Sequence, residues 1–228
     1  MATRVKICGL TDAASLDAAL EAGADMIGLV FFPPSPRNLS IAKGAALAAR
    51  ARGRVEIVAL TVDAGDELID AIAAEVRPDA IQFHGSEGPE RLMEVRRRHG
   101  VATTKSIAVA EHTDLDRVAV YRNAADRLLL DGKPPPDATR PGGNAARFDW
   151  RLLAGFDPGL PWMLSGGLTV ENVAEAVSAT GAPAVDVSSG VERAPGLKDP
   201  ARIRAFIATV RRLDESRAAA SELETGIA

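Results

Sequence analysis

The sequence has very few of the residues on which several classes of site depend. Its single cysteine excludes an intramolecular disulfide and is typical of proteins from a reducing compartment. Its three histidines lack the spacing of zinc ligands, so we expect no metal. No apolar run is long enough to span a membrane, and the first residues have no apolar signal core, so we expect a cytoplasmic protein. The net charge of −4 gives no reason to expect nucleic acid or an anionic membrane as a partner.

The chain does have the length and apolar content of a globular protein. Its 228 residues are 46% hydrophobic, which allows a sizeable core without disulfides or a structural metal. No linker divides the chain. We therefore expect one domain over residues 1–213, followed by a tail or helix extension over residues 214–228, where the apolar stripe of the last helix is lost.

Eight short apolar runs alternate with alanine-rich segments of helical period. The runs are Val5–Cys8, Met26–Phe32, Val55–Val62, Ala80–His84, Thr104–Ile107, Arg127–Asp131, Trp162–Ser165 and Val185–Ser188. This alternation predicts parallel strands joined by right-handed crossovers. Eight such units in this length fit a closed (β/α)8 TIM barrel, although an open doubly wound sheet alternates in the same way.

Two patterns favour closure of the barrel. Within a strand, polar and apolar residues alternate: Val5 and Ile7 share one face while Cys8 lies on the other. An open sheet covered by helices on both faces would show near-continuous apolar runs instead. In addition, Gly9-Leu10-Thr11 recurs as Gly167-Leu168-Thr169 after a second strand, as expected of a barrel built from similar units.

Two strand ends carry side chains suited to proton transfer. Cys8 ends the first strand on the predicted inner face, where Lys6 and the N-terminus of the next helix would both favour a thiolate that accepts a proton from carbon. Asp131 ends the sixth strand after three leucines, and a partly desolvated carboxyl group there could donate a proton. Outside this context, Cys8 fits an inert core residue and Asp131 fits a turn or cap.

Glycine turns follow the seventh and eighth strands. Gly166 and Gly167 come after one, and Ser189 and Gly190 after the other. Glycine lets backbone amides approach a ligand closely, and the loops after these two strands are the frequent phosphate site of such barrels. Each pair alone also fits a plain tight turn. Together they predict a phosphate site.

Three further polar residues are placed near the predicted mouth. Arg37 lies in a proline-rich loop after the second strand, where its guanidinium could bind a carboxylate, although a loop arginine is usually a solvated surface charge. His84 ends the fourth strand, faces inward and is expected to line the pocket. Asp186 also faces inward, but its strand continues beyond it, so we interpret it as a structural group.

These residues fall in segments that together resemble the phosphoribosylanthranilate isomerase family. The segments are Lys6–Thr11, Phe32–Arg37, Gln82–Gly85, Leu130-Asp131, Gly142-Gly143 through Phe148-Asp149-Trp150, Leu164–Leu168 and Val185–Glu192. Their presence in this order covers nearly the whole chain, from Val5 to about Phe206. The resemblance implies a metal-free and cofactor-free Amadori rearrangement of a phosphorylated sugar substrate in tryptophan biosynthesis. The sequence does not decide between a monomer and a homodimer.

The resemblance also implies residue roles. Cys8 would be the general base, Asp131 the general acid and Arg37 the ligand of the anthranilate carboxylate, while amides near Gly166-Gly167 and Ser189-Gly190 would hold the phosphate. The chain departs from the family pattern at Gly142–Ala146, where a glycine and a lysine usual in that loop are missing.

Two alternatives belong to other classes of activity. A different phosphate-binding barrel enzyme of histidine or tryptophan biosynthesis would be expected to use paired aspartates, or a lysine with glutamates, at its mouth. A non-catalytic barrel that senses a phosphorylated ligand would need neither Cys8 nor Asp131.

Overall fold

Eight parallel strands form a closed barrel in the computed structural model, which describes residues 2–135, 137–138, 141–143 and 146–225, with side chains up to residue 220. The strands are β1 (Arg4–Cys8), β2 (Met26–Phe31), β3 (Glu56–Thr61), β4 (Ala80–Phe83), β5 (Ala102–Val109), β6 (Arg127–Gly132), β7 (Trp162–Leu164) and β8 (Ala184–Val187). Because β1 pairs with both β2 and β8, the sheet has no edge. The prediction of a (β/α)8 barrel is confirmed, and the open sheet is excluded.

Helices cover the outside of the barrel. They are α1 (Ala13–Glu21), α2 (Ile41–Ala51), α3 (Asp66–Ala71), α4 (Pro89–His99), α5 (Arg117–Tyr121), α6 (Val173–Thr180) and α7 (Pro200–Thr225). Local sequence sets their ends: the Asp12 carboxylate caps α1 by accepting the Ser15 N–H, and Gly100 ends α4 in the left-handed conformation. In the described part of the crossover from β6 to β7, a 3-10 turn at Trp150–Leu153 takes the place of an α-helix.

Side-chain alternation sorts the strands into an outer and an inner face, as predicted. Val5 and Ile7 belong to the large cluster between barrel and helices, as do their counterparts on the other strands. A smaller inner cluster fills part of the barrel with residues such as Leu129 and Met163. The inner face also carries buried charge. Lys6 on β1 is completely buried and lies beside Asp186, its register partner on β8.

The last helix, α7, begins at a local cap and extends over residues Pro200–Thr225. The Asp199 carboxylate accepts the Ala201 N–H, and Pro200 occupies the first turn. Ile203, Phe206 and the other residues of its apolar stripe are buried against the barrel. Among the described residues, no helix is both long enough and apolar enough to cross a membrane. A short hairpin of β9 (Glu192–Ala194) and β10 (Leu197–Lys198) lies between β8 and α7.

Candidate active site

One cavity opens at the C-terminal ends of the barrel strands. Seven of the eight residues predicted to form the site line it, namely Cys8, Arg37, His84, Asp131, Gly166, Gly167 and Ser189. The eighth, Gly190, lies instead in an adjoining depression together with Gly167 and Arg202. The predicted residues are distant in sequence, but the ends of their strands bring them together around one cavity. The remainder of the altered loop, Asn144 and Ala145, lies outside the described residues.

Cys8 ends β1 and is almost completely buried at the base of this cavity. Its Sγ faces Gly28, where an added Cβ would lie only 2.7 Å away, so a glycine leaves the room that the sulfur needs. Burial raises the pKa of the Cys8 thiol, and the charges of Lys6, Lys198 and Arg37 reverse this only in part. Lys6 does favour the thiolate, as expected of a nearby ammonium, but desolvation outweighs the cations and the pKa of Cys8 is raised.

Lys6 is tied to other groups inside the barrel. Its Nζ donates to Asp186 Oδ1 at 2.9 Å and to Gln82 Oε1 at 2.8 Å. Burial by itself would lower the pKa of Lys6, but the negative charges of Asp186 and Cys8 outweigh burial and raise it. Lys6 is thus a buried cation held by an anion, and the structural interpretation of Asp186 agrees with this contact.

Asp131 and His84 meet at the opposite part of the mouth. Asp131 is 7% exposed, and its Oδ1 accepts the backbone N–H of Gly132 at 3.0 Å. Its Oδ2 lies 3.3 Å from His84 Nε2, which is also 3.3 Å from Ser106 Oγ. Gly142 covers this contact so closely that an added Cβ would collide with His84 and lie 3.2 Å from Asp131 Oδ2.

Arg37 is buried rather than solvated, and its guanidinium is already held by a carboxylate of its own chain. Nε donates to Glu192 Oε1 at 2.7 Å and Nη2 donates to Glu192 Oε2 at 2.9 Å. This two-bond geometry is the strong form of an arginine–carboxylate pair. The Arg37 side chain also packs directly over Gly9, which has a φ of 78° and no room for a Cβ. One edge of the guanidinium is therefore engaged, and Nη1 is directed toward Gly143 at the cavity.

Glu192 and Lys198 were not predicted as site residues. Lys198 Nζ donates to Glu192 Oε1 at 2.8 Å and to the backbone carbonyl of Ser188 at 2.9 Å. Burial lowers the pKa of Lys198 to about 8. Burial would raise the pKa of Glu192, but Arg37 and Lys198 outweigh it and lower that pKa below its ordinary value. Buried charges on a short hairpin follow no local pattern, so only their partners in space reveal them.

The two glycine turns come together beside the cavity. Gly166 and Gly167 have φ values of 92° and 62°, a region that favours glycine. A Cβ on Gly190 would collide with the carbonyl of Leu168, so the turns after β7 and β8 pack directly against each other. Helix α6 begins at Val173, after an intervening turn, so its first amides lie several residues beyond Gly167.

Fold and site together place the chain among (β/α)8-barrel enzymes with ionisable side chains and glycine turns at the C-terminal mouth. Residues 5–209 match the family model described as "N-(5'phosphoribosyl)anthranilate (PRA) isomerase". An N-(5'-phosphoribosyl)anthranilate isomerase from Afipia carboxidovorans is 56% identical over 216 residues, covering 95% of this chain and 92% of that protein. The chain belongs to this family of isomerases.

Two solved structures support the family at the level of the fold. A phosphoribosyl anthranilate isomerase from Thermotoga maritima superposes with a TM-score of 0.82 at 35% identity, covering 92% of this chain and 98% of that chain. Another phosphoribosyl anthranilate isomerase was solved in complex with reduced 1-(o-carboxyphenylamino)-1-deoxyribulose 5-phosphate. It superposes with a TM-score of 0.80 at 34% identity, with the same coverage.

Proposed function

We propose that this chain converts N-(5-phospho-β-D-ribosyl)anthranilate into 1-(2-carboxyphenylamino)-1-deoxy-D-ribulose 5-phosphate, with Asp131 as general acid and Cys8 as general base. Family membership supports the reaction. The observation that carries the assignment is that Cys8 and Asp131 line the same cavity from strands separated around the barrel by β7 and β8. A sugar seated between them would present one face to each group.

In the first step, Asp131 protonates the oxygen of the furanose ring. The bond between C1 and that oxygen breaks, and the lone pair of the anilino nitrogen forms an iminium with C1. Asp131 is left as a carboxylate that already accepts the N–H of Gly132.

In the second step, the Cys8 thiolate removes the proton from C2. The electrons of that C–H bond form a C1–C2 double bond and neutralise the iminium, which gives an enolamine. Loss of the proton from the C2 hydroxyl and protonation at C1 then give the aminoketone, so substrate and product have the same atoms. Burial raises the pKa of Cys8, which makes its thiolate a strong base once it is ionised.

Two further contacts would orient the substrate. The phosphate fits the glycine turns at Gly166-Gly167 and Ser189-Gly190, where backbone amides can approach an anion closely. The anthranilate carboxylate fits Arg37, through the edge of its guanidinium that Glu192 does not occupy.

Turnover of the anthranilate substrate, followed by its fluorescence, tests the proposal. Cys8→Ser and Asp131→Asn should each lower kcat by about 10²–10⁴-fold, the usual effect of a positioned acid or base, with substrate affinity largely kept. Asp149→Asn is a matched control, because Asp149 lies on the exposed surface and, among the described residues, forms its ion pair with Arg151. Full activity in either site variant would remove the assigned role. A wild-type protein that binds the substrate without converting it would favour the non-catalytic sensor instead.

A further inference from the structure

A chain of polar contacts runs through the barrel from Lys6 to Asp131. Lys6 Nζ lies 2.8 Å from Gln82 Oε1, and Gln82 Nε2 lies 3.0 Å from His84 Nδ1. His84 Nε2 then lies 3.3 Å from Asp131 Oδ2. Lys6 and Gln82 are completely buried, so no solvent competes for these contacts.

The direction of each hydrogen bond in this chain follows from the chemistry of its first member. A lysine ammonium can only donate, so the amide oxygen of Gln82 must be the atom that faces Lys6. The amide nitrogen of Gln82 must then face His84, and it donates to Nδ1. A neutral imidazole has one donor and one acceptor nitrogen. Because Nδ1 of His84 accepts, Nε2 carries the proton.

That proton lies beside the carboxyl group of Asp131, whose Oδ2 is 3.3 Å from Nε2. Ser106 Oγ lies at the same distance from Nε2, but the carboxylate that Asp131 becomes after it protonates the sugar is a stronger acceptor than a hydroxyl. The other Asp131 oxygen accepts the N–H of Gly132, so each carboxyl oxygen has a nitrogen of its own chain within 3.3 Å. Gly142 packs over the junction of His84 and Asp131 and leaves the pair no room to move apart on that side.

We propose that His84 is a positioning residue rather than a substrate ligand: its Nε2–H holds Asp131, and Gln82, oriented by Lys6, fixes this tautomer. The Nε2–H also stabilises the carboxylate that Asp131 becomes after it protonates the sugar. The catalytic part of this inference rests on the proposed function, whereas the tautomer does not.

The tautomer is measured directly by long-range ¹H–¹⁵N NMR of the resting protein. The chain has three histidines, and loss of one signal set in the His84→Asn variant assigns His84. We expect a protonated Nε2 and an unprotonated Nδ1. A proton on Nδ1 would overturn the proposal. Gln82→Glu places a carboxylate between Lys6 and His84. Because a carboxylate can only accept, Nδ1 of His84 should gain a proton in that variant. If the protonation of the two ring nitrogens stays as in the wild type, the role given to Gln82 is refuted.

Kinetics separate positioning from direct binding. In His84→Gln, the side-chain nitrogen can occupy the place of Nε2 and still donate to Asp131, whereas the shorter side chain in His84→Asn cannot reach. We expect His84→Gln to keep most of kcat, and His84→Asn and Gln82→Glu to lose about tenfold to a hundredfold in kcat with little change in KM. A rise in KM at unchanged kcat would show instead that His84 binds the substrate directly. Equal losses of kcat in His84→Gln and His84→Asn would also refute positioning.

The two readouts keep this inference distinct from the proposed function. A wild-type protein without isomerase turnover would refute the proposed function, while the NMR measurement would still decide the tautomer. An active wild type whose His84→Gln and His84→Asn variants have equal kcat would refute positioning alone. The His84 variants also decide the question if Gln82→Glu fails to fold, because His84 lines the cavity and neither of its replacements introduces a charge.

Discussion

Arg37 and Glu192, which are 155 residues apart in sequence, form a two-bond ion pair buried beside the cavity. Glu192 also accepts Lys198, so one carboxylate holds two cations in place. The Thr11 hydroxyl donates to the carbonyl of Gly196, which anchors the turn of the hairpin that carries Glu192. The last hairpin of the chain therefore determines where the guanidinium of an early loop can point.

Replacement of Glu192 tests this dependence. Glu192→Gln keeps the shape of the side chain but removes the charge between Arg37 and Lys198. Breaking one partner of a buried ion pair costs about 3–5 kcal/mol, so Tm should fall by about 10 °C for a protein of this size. If Arg37 binds the substrate carboxylate, KM should rise about tenfold with kcat little changed, since about 1.4 kcal/mol of uniform binding would be lost. Thermal unfolding and steady-state kinetics measure both effects.

The matched control for this variant is Glu21→Gln. Glu21 pairs with Arg204 on the exposed surface, where an ion pair contributes little, so both Tm and KM should stay at the wild-type values. Arg37→Ala should raise KM at least as much as Glu192→Gln. A normal KM in both site variants would show that neither residue takes part in binding.

Gly142 gives a steric test of the contact between His84 and Asp131. An alanine Cβ at this position would collide with His84 Nε2, so Gly142→Ala should displace the pair. A small displacement of a catalytic group can cost as much as 10²-fold in rate, and we expect kcat to fall by at least about tenfold. Gly65→Ala is the control, because an added Cβ there meets no atom within 4 Å. Wild-type turnover in Gly142→Ala would mean that the loop at Gly142 can move away from His84 without disturbing its contact with Asp131.

The strands, and the positions of Cys8 and Asp131 at their ends, could be predicted because they depend on the pattern of polar and apolar residues within a short segment. A period of two along each strand decides which side chains face inward, and strand ends decide which reach the mouth. The inner position of Cys8, opposite Val5 and Ile7, follows from that rule alone.

The contacts that complete the site could not be predicted in this way. The sequence places Gln82 on the inner face, but its orientation depends on Lys6, which is 76 residues away. Glu192 and Lys198 lie in a hairpin that has no periodic signal and are buried only because they pair with Arg37 and with each other. The net pKa shift of Cys8 also depends on burial, which outweighs the neighbouring cations and cannot be read from adjacent residues.

The start of the segment over residues 214–228 should contribute to stability without contributing to catalysis. The Asp214 carboxylate accepts both the N–H and the hydroxyl of Thr3, and Arg217 donates to the carbonyl of Val177. Truncation after Leu213 removes these hydrogen bonds to charged groups and should cost about 2–4 kcal/mol, which lowers Tm by several degrees. Truncation after Ala218 keeps them and serves as the control. Unequal kcat values for the two truncated forms would contradict a purely structural role.

Burial of Cys8 predicts how its reactivity depends on pH. Because the pKa of the thiol is raised, the group is protonated at neutral pH, and its alkylation should be slower than that of free cysteine. The rate should rise with pH, with a midpoint above the ordinary cysteine value of about 8.5. Cys8 is the only cysteine, so incorporation of iodoacetamide reports on it alone, and Cys8→Ser gives the blank. In the unfolded protein, the midpoint of the alkylation rate should lie at the ordinary cysteine value.

If Cys8 is the general base, kcat/KM should rise over the same pH range as the alkylation rate, because both require the thiolate. A midpoint below 8.5 in the folded protein would mean that the surrounding cations prevail over burial.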